Sequence, residues 1–229
     1  MSNTPITRIS EQPLDPLRRL GRHIQHDPAS RGFPADQAPT IVSVTHSAVG
    51  LPLNQGNIGS CTAEALCGAL DSAPDLASGA TPKDQSAAIE LYELETKLEH
   101  DPYPPNDPGG TGLWVCKAAK QLGWITSYQH AFGIDHALQA LVLRPVITGI
   151  NWYTSFDTPD PQGLVAITPG ATVRGGHEVV ADGIDAPNQL VWFWNSWGPG
   201  FGPGGRFCMS FDTWGQLLAQ QGDVTVPIK

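Results

Sequence analysis

The stretch NQGNIGSCTAEAL, residues 54–66, places a cysteine where small polar residues give way to an alanine-rich, helix-forming segment. A structural cysteine normally lies inside a core, packed as a small hydrophobic residue. Cys61 instead falls on the first turn of the predicted helix, where the positive end of the helix dipole favours the thiolate. Its position therefore indicates a reactive thiol, which needs a base, an orienting group and a substrate cleft from the rest of the chain.

The composition of the 229 residues limits the kinds of partner. A formal net charge of −9 argues against nucleic-acid backbones and anionic membranes. No apolar run approaches the roughly 18 residues of a membrane span, and the N-terminus lacks the apolar segment of a signal peptide. We therefore expect a cytoplasmic protein, or one exported by a route that needs no cleavable signal peptide.

The cysteines also bear on metals and disulfides. Cys61, Cys67, Cys116 and Cys208 are irregularly spaced and form no CxxC pair. This pattern disfavours a zinc site, and four cysteines are too few for a disulfide scaffold. We expect reduced thiols, no metal and no cofactor.

Helical and strand patterns are segregated along the chain. Residues 1–39 are mostly irregular, although LRRLGRHI has the pattern of a short helix. The helical patterns that follow are CTAEALCGALDSA, QSAAIELYELETKLEH, LWVCKAAKQLG and DHALQALVL. The strand patterns are IVSVT, PVITGINWY, GLVAIT, HEVVADGID, LVWFWNSWG, GRFCMSF and DVTVPI. This arrangement predicts an α+β protein with a helical lobe, a sheet lobe and a cleft between them.

The predicted boundaries follow from this segregation. Residues 1–39 form an N-terminal leader, and residues 40–229 form a catalytic domain. Its helical lobe spans about 54–140, and its β lobe spans about 141–229 together with the strand 41–45. The acidic face of the second helix is predicted to be solvated surface; its members are Glu90, Glu93, Glu95 and Glu99.

The β-rich half supplies candidates for the base and the orienting group. His177 lies in RGGHEVVADGID, behind two glycines that allow another chain to approach closely. Asn195 lies in WFWNSWGPGFGPGG, at the end of a Trp-rich strand where an unpartnered polar side chain would be costly. Gln55 precedes the cysteine in a glycine-punctuated loop and can donate to a developing oxyanion. These residues are the parts that nucleophilic catalysis by Cys61 requires.

Three segments in this order resemble the papain-family (C1) cysteine peptidases. NQGNIGSC resembles the family's Gln…Gly-Ser-Cys segment, GGHEVVADGID its histidine strand, and NSWGPGFGPGGRF its Asn-Ser-Trp-Gly turn. The resemblance covers about residues 40–211. QSAAIELYELETKLE followed by GGTG, and HDPASRGFP, are similar to features of the bacterial branch with a short leader.

The resemblance implies a papain-like two-lobed fold and a role for each matching residue. Cys61 would be the nucleophile, His177 the general base and then acid, and Asn195 the orienter of the imidazole. Gln55 would donate to the oxyanion, and Trp197 would shield the His–Asn hydrogen bond from water.

The same resemblance implies substrate-binding positions. Gly109 and Gly110 would pair in β fashion with the substrate backbone, and Gly176 lies beside the catalytic histidine. Glu178 matches a position near the pocket for the second residue upstream of the cleaved bond, where a carboxylate would favour Arg or Lys over Leu. The alternative is that Glu178 pairs with Arg174 or points to solvent.

The chain departs from the family pattern at four positions. Ile58 stands where many members have a disulfide cysteine, so that bridge is absent. Thr62 replaces the tryptophan after the nucleophile, Phe201 replaces a tryptophan of the final turn, and Glu178 replaces a small residue. None of these departures removes a member of the triad.

The expected function is therefore that of a thiol peptidase acting on a peptide or protein substrate without a cofactor. Two alternatives remain: acyl transfer or peptide ligation at a similar site, and an inert papain-like binding domain. The leader is expected to contact the catalytic domain, either as a strap on the back of the sheet lobe or as a plug in the cleft. Its arginines favour docking on an acidic surface; they are Arg18, Arg19, Arg22 and Arg31.

Overall fold

The computed structural model describes residues 4–76 and 81–229 of the chain. The helices in these ranges are α1 Cys61–Leu70, α2 Gln85–Leu98, α3 Gly112–Gln121, α4 Ile134–Leu143 and α5 Phe211–Ala219. The strands are β1 Val44–Thr45, β2 Ser127–Ala131, β3 Val146–Tyr153, β4 Val173–Asp185, β5 Leu190–Trp194, β6 Arg206–Ser210 and β7 Asp223–Ile228. The fold is α+β, as the sequence pattern predicts.

The strands form one antiparallel sheet in the order β2-β7-β3-β4-β5-β6, with β1 paired to β4. The long central strand β4 pairs with β3 on one side and with β5 on the other. Helix α1 packs against β4. The first turn of α1 and the histidine strand are thereby brought together from opposite halves of the chain.

Apolar side chains are buried in two clusters. One cluster joins α1, α2 and α3 and includes Leu66, Leu91 and Val115. The other fills the sheet lobe and includes Trp152 and Phe193. Burial of these apolar faces is the main driving force for holding helices against the sheet.

The helix termini follow ordinary capping chemistry in the helical lobe. The side chain of Asp84 accepts a hydrogen bond from the amide of Ala87 at the start of α2, and the side chain of Thr111 does the same at the start of α3. Ser60 precedes α1 but does not cap it with its side chain, since its hydroxyl donates to Glu64 instead.

Two local predictions from the sequence were wrong, and two elements were missed. LRRLGRHI is not helical; Arg22 and Ile24 instead form isolated β-bridges with Gly110 and Thr7. GLVAIT forms no named strand; only a bridge between Leu164 and Cys208 joins it to β6. Strand β2 and helix α5 were not predicted, because their apolar periodicity is short and their contacts are with distant residues.

The predicted lobe boundary also differs from the packing. Helix α4 falls mostly within the predicted helical lobe, but its buried residues Ala137, Leu138 and Leu141 belong to the sheet-lobe cluster. The reason is its connection: α4 leads directly into β3 and packs against β4. Within the described residues, no helix is both long and apolar enough to cross a membrane.

Candidate active site

Cys61 is the first residue of α1, and its side chain is fully buried. Backbone groups of Glu178 and Gly21 lie within hydrogen-bonding range of its sulfur. The first of these residues directly follows His177 on β4, so the thiol faces the histidine strand. The second belongs to the leader, so the leader passes over the thiol.

His177 and Asn195 form the hydrogen bond that the sequence predicts. The distance between Nε2 of His177 and Oδ1 of Asn195 is 2.7 Å. An amide oxygen can only accept, so Nε2 carries the proton and Nδ1 of the neutral ring holds a free lone pair. Nδ1 is buried and has no hydrogen-bond partner among the described residues. The ring is therefore held in the tautomer whose Nδ1 can accept a proton.

Two tryptophans enclose this imidazole. Trp197 stacks on His177 with ring centroids 5.0 Å apart and planes inclined at 26°. Trp152 meets the same ring edge-on, with centroids 4.9 Å apart. The sequence resemblance singled out Trp197 as the shield, and the stack is consistent with that role. Trp152 was not singled out, because nothing local in its strand marks it as different from a core residue.

Gln55 is held beside the same turn that carries Asn195. The hydroxyl of Ser196 donates to Oε1 of Gln55 over 2.5 Å, and the amide of Gln55 donates to the carbonyl oxygen of Ser196 over 2.9 Å. Nε2 of Gln55 donates one hydrogen to the carbonyl of Ile58 and carries a second. Ser196 also donates its amide to Oδ1 of Asn195 over 2.7 Å. Ser196 thus links Asn195 to Gln55. The sequence did not reveal this role, although Ser196 lies in the NSWG motif.

Two of the departures from the family pattern have clear surroundings. Thr62 is buried, and its hydroxyl donates to Glu95 over 2.7 Å. Glu95 in turn accepts from the amide of Thr111, so its predicted place on a solvated face was wrong. Phe201 is buried against Trp152 and Trp197, so it contributes to the aromatic cluster in place of the missing tryptophan.

The leader segment 18–24 runs through the cleft between the two glycine-rich edges. The amide of Gly110 donates to the carbonyl of Gly21 over 2.8 Å, and the amide of His23 donates to the carbonyl of Gly110 over 2.8 Å. On the opposite side, the amide of Arg22 donates to the carbonyl of Gly176 over 3.0 Å. The backbone positions expected to hold substrate are therefore occupied by the leader.

Glycines on both sides make this close approach possible. A methyl group on Gly176 would overlap the carbonyl oxygen of Arg22, and one on Gly109 would overlap the carbonyl oxygen of Gly21. A methyl group on Gly21 itself would overlap the main chain of Gly59. The leader and the walls of the cleft are thus in backbone contact, with no space for a second chain between them.

Charged side chains fasten the leader above the cleft. Glu11 pairs with Arg174 at 3.1 Å and with Arg19 at 2.5 Å. Arg19 also reaches Asp107 at 3.0 Å, on the helical-lobe side. Arg174 pairs with Asp157 at 3.2 Å. Arg174 is therefore engaged by Glu11 and Asp157 and does not pair with Glu178, which was one of the predicted alternatives.

A second part of the leader follows the edge of the sheet. The amide of Ala35 donates to the carbonyl of His130 on β2, and the amide of His130 donates to the carbonyl of Phe33. The amide of Ala38 reaches the carbonyl of Gln139 on α4. The leader therefore contacts the rest of the chain at two places: residues 18–24 lie in the cleft, and residues 33–38 run along the edge strand β2 and reach α4.

Burial under the leader sets the protonation of the two reactive groups. Desolvation raises the pKa of the Cys61 thiol well above its ordinary value, and the nearby charges of Glu178 and Glu64 add to this. Desolvation lowers the pKa of His177 to about 3, although the hydrogen bond to Asn195 opposes the shift. In the covered cleft both groups are therefore neutral at pH 7.

Glu178 is fully buried, so the alternative that it points to solvent was wrong. Burial raises the pKa of its carboxyl well above the ordinary range, the charge of Asp223 adds to this, and that of Arg22 opposes it. Among the described residues, no group of three or more His, Cys, Asp or Glu side chains has the arrangement of a metal site.

Comparisons with known proteins bear on the fold. No protein-family model and no curated protein matches the sequence. Among solved structures, xylellain, a cysteine protease from Xylella fastidiosa, matches with a TM-score of 0.70 and 21% sequence identity, over 92% of this chain and 96% of xylellain.

Two further structures match over most of the chain. The digestive procathepsin L2 proteinase from Tenebrio molitor larval midgut has a TM-score of 0.69 and 18% identity, over 95% of this chain and 80% of its own. The Carica candamarcensis cysteine protease CMS1MS2, in complex with E-64, has a TM-score of 0.57 and 17% identity, over 81% and 99% respectively. The chain therefore has the fold of the papain-like cysteine proteases.

Proposed function

We propose that this protein is a cysteine peptidase in which Cys61, His177 and Asn195 form the catalytic triad. The observation that carries the proposal is the 2.7 Å hydrogen bond between His177 and Asn195. It leaves the Nδ1 lone pair of the histidine free in a strand that packs against the cysteine helix. A core histidine with no catalytic task would be expected to satisfy both ring nitrogens.

The proposed reaction proceeds by acyl transfer through the thiol. His177 takes the proton of Cys61, and the sulfur attacks the peptide carbonyl to form a tetrahedral oxyanion. The second hydrogen on Nε2 of Gln55 and the amide of Cys61 stabilise that oxyanion. His177 then protonates the leaving amine as the C–N bond breaks, and water, deprotonated by the same ring, hydrolyses the thioester.

We propose further that the leader keeps the enzyme latent. Residues 18–24 cover the thiol and use the glycine edges that an extended peptide needs. Burial also removes the thiolate–imidazolium pair, because it favours the neutral forms of both groups. Activity then requires that this segment leaves the cleft.

A thiol-reactive epoxide peptide tests the first proposal. The full chain carrying Gly21→Ala, which forces the leader away from the main chain of Gly59, should gain one adduct on Cys61. No adduct should form when the protein is denatured with acid before the reagent is added. None should form in a chain that also carries Cys61→Ala. Equal labelling of the previously denatured protein would reflect ordinary thiol reactivity and would contradict the proposal.

Hydrolysis of a peptide library by the same Gly21→Ala chain separates peptidase from acyl transferase. A peptidase gives free acids, whereas a ligase gives amides when an amine nucleophile is added. Failure to cleave any peptide, together with tight peptide binding, would favour the inert binding domain instead.

A further inference from the structure

The peptide group between Ile58 and Gly59 lies in the turn that leads to Cys61, and both of its polar atoms are hydrogen-bonded to side chains. Its carbonyl oxygen accepts from Nε2 of Gln55 over 2.7 Å. Its amide, on Gly59, donates to both carboxylate oxygens of Asp107 at 3.0 Å. A trans peptide is planar, and its C=O and N–H point in opposite directions. The carboxylate on one side of the peptide therefore fixes the direction of the carbonyl on the other side.

Asp107 is itself held by a buried tyrosine. The hydroxyl of Tyr92 donates to Oδ1 of Asp107 over 2.7 Å and accepts from the amide of Gly109 over 2.8 Å. Tyr92 is fully buried, and burial together with the charge of Asp107 raises the pKa of its hydroxyl. The hydroxyl therefore keeps the proton that it donates, and Asp107 joins the turn before Cys61 to the glycine edge of the cleft.

Other supports for this turn are absent or used elsewhere. Ile58 stands where many papain-family members have a disulfide cysteine, and all four cysteines of the chain are free. The hydroxyl of Ser60 donates to Glu64, and the backbone hydrogen bond that closes the turn, from Ile58 to Gln55, is 3.2 Å long. A hydrogen bond from an amide to a carboxylate is about twice as strong as a neutral one, so the carboxylate of Asp107 gives this turn a firm support.

We propose that Asp107 is a positioning residue of the peptidase. Through the Ile58–Gly59 peptide it directs the side-chain amide of Gln55, whose second hydrogen stabilises the oxyanion in the proposed reaction. This inference rests on the proposed function. It concerns a residue that no sequence motif marked, because Asp107 lies in the proline-rich loop PYPPNDP, residues 102–108, which resembles an ordinary connection between helices.

In the latent chain the same carboxylate also binds the leader. Nη2 of Arg19 lies 3.0 Å from Oδ2 of Asp107. This ion pair adds to the hydrogen bonds from Gly59 and Tyr92 and does not replace them. Those bonds can therefore persist when the leader leaves the cleft, and the positioning role is tested in the full chain opened by Gly21→Ala.

A double-mutant cycle in peptide hydrolysis tests the path through Gln55. Asp107→Ala should lower kcat about 10–10²-fold, because a misdirected donor stabilises the oxyanion poorly. In a chain that already carries Gln55→Ala, the same substitution should lower kcat by less than about threefold, because the side chain that it directs is gone. Asp107→Asn should keep kcat within about fivefold of the parent, since its amide oxygen can still accept from Gly59.

Two controls separate positioning from a general loosening of the loop. The side chain of Asp101, in the same loop, bonds Asn106 and the leader residue Arg8, so Asp101→Ala should leave kcat unchanged. Alkylation of Cys61 by iodoacetamide needs no oxyanion donor, so Asp107→Ala should leave its rate within about twofold. Multiplicative losses in the double mutant would overturn the inference. An Asn variant as impaired as the Ala variant, or an alkylation rate that falls with kcat, would overturn it as well.

A measurement without catalysis separates this inference from the proposed function. The side-chain amide protons of Gln55 are identified in NMR spectra by their loss in Gln55→Ala, and their exchange with solvent is measured. Exchange should be faster in Asp107→Ala and unchanged in Asp101→Ala. If the opened chain cleaves no peptide but shows this difference, the peptidase proposal fails and the positioning of Gln55 by Asp107 stands. Cleavage with unchanged kcat and unchanged exchange in Asp107→Ala would support the peptidase and overturn the inference.

Discussion

Replacing Arg22 by alanine tests whether a buried ion pair holds the leader in the cleft. In the closed chain the substitution leaves Glu178 and Asp223 beneath the leader without their cation. Removing one partner of a buried ion pair costs about 3–5 kcal/mol. The raised pKa of Glu178 allows it to take up a proton, so we use the lower end of that range. Because each ~1.4 kcal/mol is a factor of ten, the open fraction should rise about 10²-fold.

The rate of Cys61 alkylation reports this opening. Full-length wild type and Arg22→Ala are treated with iodoacetamide at pH 7, and the modified cysteine is identified by peptide mass. We expect the second-order rate constant at Cys61 to increase about 10²-fold in the variant, in proportion to the open fraction. Arg8→Ala is the matched control: its ion pair with Asp101 is solvent-exposed, worth about 0–1 kcal/mol, and its loss should change the rate by less than about fivefold.

Two results would refute this reasoning. An Arg22→Ala chain that reacts at the wild-type rate would show that the ion pair does not hold the leader in the cleft. Equal acceleration at Cys67, Cys116 and Cys208, which are buried in the structure, would show that the substitution unfolds the protein instead of opening the cleft.

Four further predictions concern the site and its surroundings. In a chain opened by Gly21→Ala, Gln55→Ala should lower kcat about 10²–10³-fold with little change in KM. Ser196→Ala should lower kcat by a smaller factor. An unchanged kcat for Gln55→Ala would show that the side-chain amide of Gln55 does not contact the oxyanion. Gly21→Ala alone should accelerate Cys61 alkylation, because its methyl group overlaps the main chain beneath it; equal rates would contradict the close contact. In the wild-type chain, alkylation of Cys61 should keep rising into the alkaline range, since burial raises its pKa; a plateau near neutral pH would contradict this. Burial raises the pKa of Glu64 to about 7. The stability that its proton contributes to the folded state is fully present below the unfolded pKa and is lost as pH rises through about 7, at a cost of up to about 3 kcal/mol. Urea unfolding of Glu64→Gln should therefore show a smaller loss of stability between about pH 5 and 8 than wild type, and parallel pH dependences would refute this.

The elements with strong local signals could be predicted from the sequence. The regular apolar spacing of α1, α2 and α3 and the β-branched runs of β3, β4 and β7 indicate their own structure. Strand β2 and helix α5 could not be found in this way. Ser210 does cap α5 by accepting a hydrogen bond from the amide of Thr213, but one cap in a short segment is a weak sequence signal. The helix is stabilised by the burial of Trp214, which depends on tertiary contacts.

The leader shows why local propensity can mislead. LRRLGRHI has a helical pattern, yet the backbone bonds of Arg22 and His23 go to the two walls of the cleft. A short isolated helix gains little in water, whereas an extended segment gains hydrogen bonds and buries Leu20 and Ile24. The same limit applies to Glu95. The helical pattern places Glu95 on a polar face, but its side chain is buried and accepts hydrogen bonds from Thr62 and Thr111.

The sequence by itself determined the fold class and the chemical groups of the candidate site, because nucleophile, base, orienter and amide donor each lie in a distinctive local motif. Only the tertiary structure decided what surrounds them. Asp223 lies beside Glu178 through the pairing of β7 with β3 and of β3 with β4, and Arg22 pairs with Asp223 from the leader. The physical reason is that a buried charge is tolerated only beside its partner, and in this chain the partner comes from a segment far away in sequence.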